Sequence, residues 1–157
     1  MKLEHLIQSY QFNRIPAKIK QTMKDKNEVA GVIEFNENIY ASYLLDEEGF
    51  VIVLKLFING IVDKNKKIAN QIKHTTQSLI IIQKSIELLG NTKKEEANKI
   101  LKSLGIFSGK IKEKAVKFFN YIYEIESPDG LLMFSILENE NKRSANPPAK
   151  ISSKKIS

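Results

Sequence analysis

The sequence contains no cysteine. That excludes a disulfide framework, a thiolate zinc site and a cysteine nucleophile, and it suits a reducing, cytoplasmic setting. Histidine is nearly as scarce: His5 and His74 are the two present, and neither has a second ligand at helical spacing. No metal and no other cofactor is expected on that basis. Long hydrophobic runs are missing too. The longest, Phe50 to Ile58, is interrupted by Lys55 and is far too short to span a bilayer. Within residues 1–20, Glu4, His5, Gln8 and Gln11 break up any apolar core, so no signal-peptide layout is read there.

Catalytic patterns are equally thin. No Ser-His-Asp order or glycine-rich dinucleotide fingerprint can be assembled. The stretch Gly105-Ile106-Phe107-Ser108-Gly109-Lys110 has three residues between its glycines where a phosphate-binding loop has four. Ile111 then stands where a magnesium-binding Ser or Thr belongs. Asp46-Glu47-Glu48 lacks the alternating oxygen ligands of a calcium loop. An enzyme is the least expected class.

What the chain does have is segregated charge. Residues 1–63 carry seven Lys/Arg against nine Asp/Glu, and residues 64–117 carry thirteen against four. Residues 118–140 hold five acids and no base, and residues 141–157 hold five bases and no acid. Such blocks create an oriented field, which bears on partners rather than on fold. The acidic block either neutralises the basic helices within the fold or meets a basic partner. Lys, Ile and Asn together supply 58 of the 157 residues, so AT-rich coding accounts for part of the lysine content.

Hydrophobic periodicity outlines the elements. Leu3, Leu6, Ile7 and Tyr10 have helical spacing, and Pro16 suits the first turn of a second short helix with Ile19 and Met23 inward. Val32–Phe35, Ile39–Leu44 and Phe50–Phe57 are β-branched or aromatic runs separated by turn residues, which predicts a three-stranded antiparallel meander. The third run is apolar on both faces, so it belongs at the centre of the sheet or beneath a helix. Ile68, Ile72, Thr75, Leu79, Ile82, Ile86 and Leu89 then trace a heptad-like seam on a long helix closed by Gly90. Thr92 and Glu95 form a capping box for the next helix, and Gly105 ends it. Ser108 opens a further helix through Ile125, and Leu131–Leu137 is a last strand pairing with the meander. The expected architecture is therefore α+β: a three-stranded meander plus a C-terminal strand, covered by a long helix and a helical hairpin. One domain spans residues 1–137, and residues 138–157 form a flexible, disordered basic tail.

On this reading the protein is a small non-enzymatic binding protein that contacts nucleic acid, mostly at phosphates and with weak sequence selectivity. Lys66, Lys73 and Lys84 fall within about 20° of one another on the long helix, opposite its apolar seam. Lys110, Lys114 and Lys117 surround the helical hairpin, whose Gly105 and Ile111 partly match a helix-turn-helix. Lys142, Arg143, Lys150, Lys154 and Lys155 provide a basic arm. The alternative is a protein–protein adaptor or assembly factor, with the charge blocks setting orientation and the long helix offering an apolar contact; self-association is included. A base-stacking platform of Phe35, Tyr40, Tyr43 and Phe50 is disfavoured, because Glu34, Glu37, Asp46, Glu47 and Glu48 surround it with the wrong charge.

Overall fold

A computed structural model describes residues 1–60, 68–106, 114–128 and 130–139. The elements run α1 (Leu3–Phe12), β1 (Lys18–Asp25), β2 (Glu28–Asn36), β3 (Ile39–Leu45), β4 (Val51–Asn59), α2 (Ile68–Gly90), α3 (Lys94–Leu104), β5 (Ala115–Phe118), β6 (Tyr121–Glu126) and β7 (Leu131–Glu138). All seven strands form one antiparallel sheet in the order β1-β2-β3-β4-β7-β6-β5. Two meanders, β1–β4 and β5–β7, thus meet where β7 pairs with β4. The helices that connect the meanders cover one face.

The α+β class agrees with the sequence, and so do β2, β3, β4 and the pairing of the last strand with the meander. The doubly apolar β4 takes the central place of the seven. Two segments differ. Residues 18–25 form strand β1 where a helix was expected, so the first meander has four strands and not three. Residues 115–126 form the β5–β6 hairpin where the second limb of a helical hairpin was expected. The hairpin Asp25-Lys26-Asn27-Glu28 and its counterpart Phe118-Phe119-Asn120-Tyr121 both turn through two residues without glycine. The first turn residue in each has positive φ, 55° at Lys26 and 54° at Phe119. That is the position where a type II′ turn favours glycine, so neither turn announces itself in the sequence. Of the tail expected from residue 138, Glu138 ends β7 and the Asn139 N–H donates to the Asn120 carbonyl at 2.7 Å, whereas residues 140–157 and the expected helix start at Ser108 lie outside the described residues.

Strand alternation explains the core. On the covered face Ile33, Phe35, Ile39, Ala41, Tyr43, Leu54, Leu56, Ile58, Tyr123, Ile125, Phe134 and Ile136 are buried. They meet Leu3, Leu6 and Tyr10 of α1, Ile81, Ile82, Ile86 and Leu89 of α2, and Ala97, Ile100, Leu101 and Leu104 of α3. Each fully buried aliphatic or aromatic side chain contributes about 1.5–3 kcal/mol. The Tyr10 ring packs edge-on to Phe35 at 5.0 Å and its hydroxyl hydrogen-bonds Ser85 of α2, which ties α1 to both layers. Tyr43 lies across Gly31 on β2, where any side chain would strike its ring, and its hydroxyl reaches Thr22 of β1 at 3.2 Å.

Helix ends deviate from the sequence reading in an informative way. Gly90 is the last residue of α2 without adopting a left-handed conformation; Asn91, with φ 51°, does so instead. The α3 cap falls on Lys93, whose backbone N–H donates to the Glu96 carboxylate at 2.9 Å. Lysine has no acceptor to return the bond, so only half of a capping box forms, one residue later than expected. Gly105 closes α3 in the left-handed conformation, as expected.

Candidate binding surfaces

Four of the predicted basic residues are described, Lys73, Lys84, Lys114 and Lys117, and they lie on or beside two separate elements, α2 and β5. Lys73 is exposed on α2, whereas Lys84 is half-buried and paired with Glu87 at 3.3 Å. Lys117 is exposed on β5, an edge strand of the sheet, with Lys114 just before it. The opposite edge, β1, carries Lys18, Lys20 and Lys24 six strands away, a separation of about 29 Å at ordinary strand spacing. Lys114 and Lys117 thus stand at a sheet edge where a helical hairpin was expected, and the β1 lysines stand on a strand where a short helix was expected. Lys66, Lys110, Lys142, Arg143, Lys150, Lys154 and Lys155 lie outside the described residues.

A cleft of about 650 Å³ opens between the turn after α1, the β2–β3 turn and α2. Arg14 and Lys73 stand in it with Glu37, Asn13, Asn38 and Gln77. This chemistry suits an anionic or amide-bearing group held by hydrogen bonds. His74 also borders the cleft, but its Nε2 donates to the Asn59 carbonyl at 2.6 Å. The ring therefore fastens the start of α2 to the end of β4, a structural task. Among the described residues no three potential metal ligands come together.

The second face of the sheet is the larger surface. No described helix covers it, and its side chains are mostly half-exposed where those on the helix side are buried. Cross-strand pairing sets these residues in level rows. Ala30, Leu44, Val53, Leu137 and Ile122 form one apolar row across five strands. Tyr40, Phe57 and Met133 lie in a second, flanked by Glu34 and Glu126. Between them runs a mixed row of Val32, Ser42, Lys55, Ser135 and Glu124. Lys55 leans over the Phe57 ring at 5.7 Å, and Lys20 of β1 pairs with Glu34 at 3.7 Å.

This surface was not picked out from the sequence, although one signal pointed to it. A strand apolar on both faces has a second face to cover, and β4 presents Val53 and Phe57 opposite Leu54, Leu56 and Ile58. In the second half of α2 the apolar seam serves the protein's own core, with Ile82, Ile86 and Leu89 buried, while Thr75 and Leu79 are half-buried. Among the described residues no helix is long and apolar enough to cross a membrane. No protein-family model matches the chain, and no curated protein or solved structure matches it.

Proposed function

We propose that this chain is a small non-enzymatic protein-binding module, an adaptor or assembly factor, whose working surface is the uncovered face of the sheet. The observation that carries the reading is the unbroken apolar row Ala30–Leu44–Val53–Leu137–Ile122 beside Tyr40, Phe57 and Met133. Antiparallel sheets exposed to solvent on one side normally alternate apolar-in with polar-out. Contiguous exposed apolar surface on such a face marks an interaction site. The test is a photo-crosslinking side chain at Val53, compared with one at the exposed Lys99 of α3. Protein adducts are expected from the sheet position alone. Equal labelling at both positions, or association indifferent to Val53→Lys, defeats the reading.

Nucleic-acid contact is the second reading, and the observation favouring it is the run of five bases without an acid in residues 141–157. It predicts that mixed-sequence DNA or RNA binds with an affinity falling steeply as salt rises, because each neutralised phosphate releases counterions. Replacing the five basic residues with glutamine abolishes that binding on this view. Salt-independent binding, or none, eliminates it.

A further inference from the structure

We propose that the occupant of the uncovered sheet face is a second copy of this chain, packed face to face about a two-fold axis running parallel to the strands between β3 and β4. The inference rests on the protein-binding reading and names its partner. An axis along the strands keeps the cross-strand rows level and reverses the strand order. β1 of one copy then meets β6 of the other, β2 meets β7, and β3 meets β4.

The registers make that placement self-complementary. In the apolar row, Leu44 faces Val53 of the second copy, Ala30 faces Leu137, and Met23, the β1 member of the same row, faces Ile122. In the next row Tyr40 faces Phe57. At the rim Lys18, paired across the sheet with Glu34, faces Glu126, and neighbouring Lys20 faces the same acidic strand, which also presents Glu124. Aligned sheets cross at about 30°, which displaces the outer strands by roughly two residues along their length. The two-residue spacings of Lys18 with Lys20 and of Glu124 with Glu126 absorb that displacement.

Other axes lose the match. An axis perpendicular to the strands sets β1 against its own copy, lysine on lysine, and β6 against its own copy, glutamate on glutamate. Moving the parallel axis onto β4 sets Glu34 against Glu126 and Lys55 against itself. Charge complementarity at such a face suppresses the wrong registers even where it adds little affinity. The area is sufficient. Six strands from β1 to β6 span about 24 Å and seven residues of strand about 23 Å, which gives a footprint of about 550 Å² per copy. Two copies clear the roughly 1,000 Å² expected of a specific interface, at its modest end.

The test is sedimentation of the full chain over a concentration series, with circular dichroism to verify each variant's fold. A monomer–dimer equilibrium is expected for the native chain, and Leu44→Glu, which acts twice in a symmetric interface, weakens it by at least about tenfold. Lys18→Glu with Lys20→Glu weakens it by roughly tenfold, and adding Glu124→Lys with Glu126→Lys restores it to within about threefold. The charge variants alter only solvent-facing groups, so they remain informative if Leu44→Glu fails to fold. A chain that stays monomeric to about 1 mM, or a dimer indifferent to both charge reversals, overturns the proposal. A monomer whose Val53 crosslinks a different protein overturns self-association while leaving the protein-binding reading intact. If face substitutions change no association of any kind, both fall.

Discussion

The hydroxyl of Tyr123 occupies the space in which a side chain on Gly90 would stand. Tyr123 is fully buried on β6, and its hydroxyl has no hydrogen-bond partner among the described residues. The last residue of α2 is therefore glycine because of a strand over thirty residues away, not because the helix needs a left-handed stop. A buried, unpaired hydroxyl is a standing cost of about 1–3 kcal/mol.

Gly90→Ala is accordingly expected to destabilise the fold by about 1–3 kcal/mol through overpacking, although alanine in an open helix gains up to about 1 kcal/mol over glycine. Tyr123→Phe removes both the clash and the orphaned hydroxyl, so it is expected to be neutral or stabilising. Once Tyr123→Phe is in place, the sign of Gly90→Ala should reverse. Urea unfolding of the four chains reads the coupling directly.

Tyr10 and Ser85 predict an asymmetry. The Ser85 hydroxyl donates to the Ile81 carbonyl at 2.6 Å and so receives the Tyr10 proton. Tyr10→Phe leaves Ser85 satisfied and should lose about 0.5–1.5 kcal/mol. Ser85→Ala strands a buried phenol and should lose more, about 1–3 kcal/mol. The double variant should resemble Tyr10→Phe alone. Equal single losses would show that the hydroxyl finds another partner.

Alkaline pH should unfold the protein. Burial raises Tyr10, Tyr121 and Tyr123 above the ordinary phenol value of 10.0, with Glu138 adding to the effect at Tyr121 and the neighbouring Tyr121 and Glu96 at Tyr123. Below pH 10 both folded and unfolded chains hold these protons, and their contribution to stability is complete. Above it the unfolded chain releases protons that the folded one retains, so stability falls as pH rises. Unfolding and tyrosinate absorbance should rise together in a pH titration. Ionisation of Tyr10, Tyr121 and Tyr123 near 10 without unfolding would contradict the burial argument.

Turn chemistry supplies a fourth expectation. Lys26 holds φ 55° at the first position of the β1–β2 turn. Lys26→Gly should stabilise by about 0.5–1 kcal/mol, whereas Lys26→Val should destabilise by more than about 1 kcal/mol. Thermal melts would decide, and a higher melting temperature for Lys26→Val would refute the turn assignment.

The same two turns explain what was hidden in the sequence. Asn36-Glu37-Asn38 and Asp46-Glu47-Glu48-Gly49 advertise their hairpins: Asn36 Oδ1 accepts from the Asn38 N–H at 2.8 Å, and Asp46 Oδ1 accepts from the N–H groups of Glu48 and Phe50. Lys26-Asn27 and Phe119-Asn120 advertise nothing. Ile19 and Met23 are four apart, and Phe118, Ile122 and Ile125 are three or four apart, which fits a helix as well as a strand. For such short segments the free edge of β2 and the edge of β7 settle the matter, since pairing supplies a ladder of inter-strand hydrogen bonds where an isolated helix of that length would be only marginal.

By itself, the sequence determined the α+β class, the strands from β2 to β4 and β7, the helices α1, α2 and α3, and the apolar character of both faces of β4. These follow from local periodicity and turn chemistry, which act within a few residues. Only the tertiary structure decided that β1 and the β5–β6 hairpin are strands, that Ile82, Ile86 and Leu89 of the α2 seam are internal, and that Lys18, Lys20 and Lys24 stand on the edge opposite Lys117. Among the described residues it also left one apolar sheet face without a covering helix. Those outcomes depend on which elements become neighbours, and side-chain pattern along a chain carries no record of the partner that a face will meet.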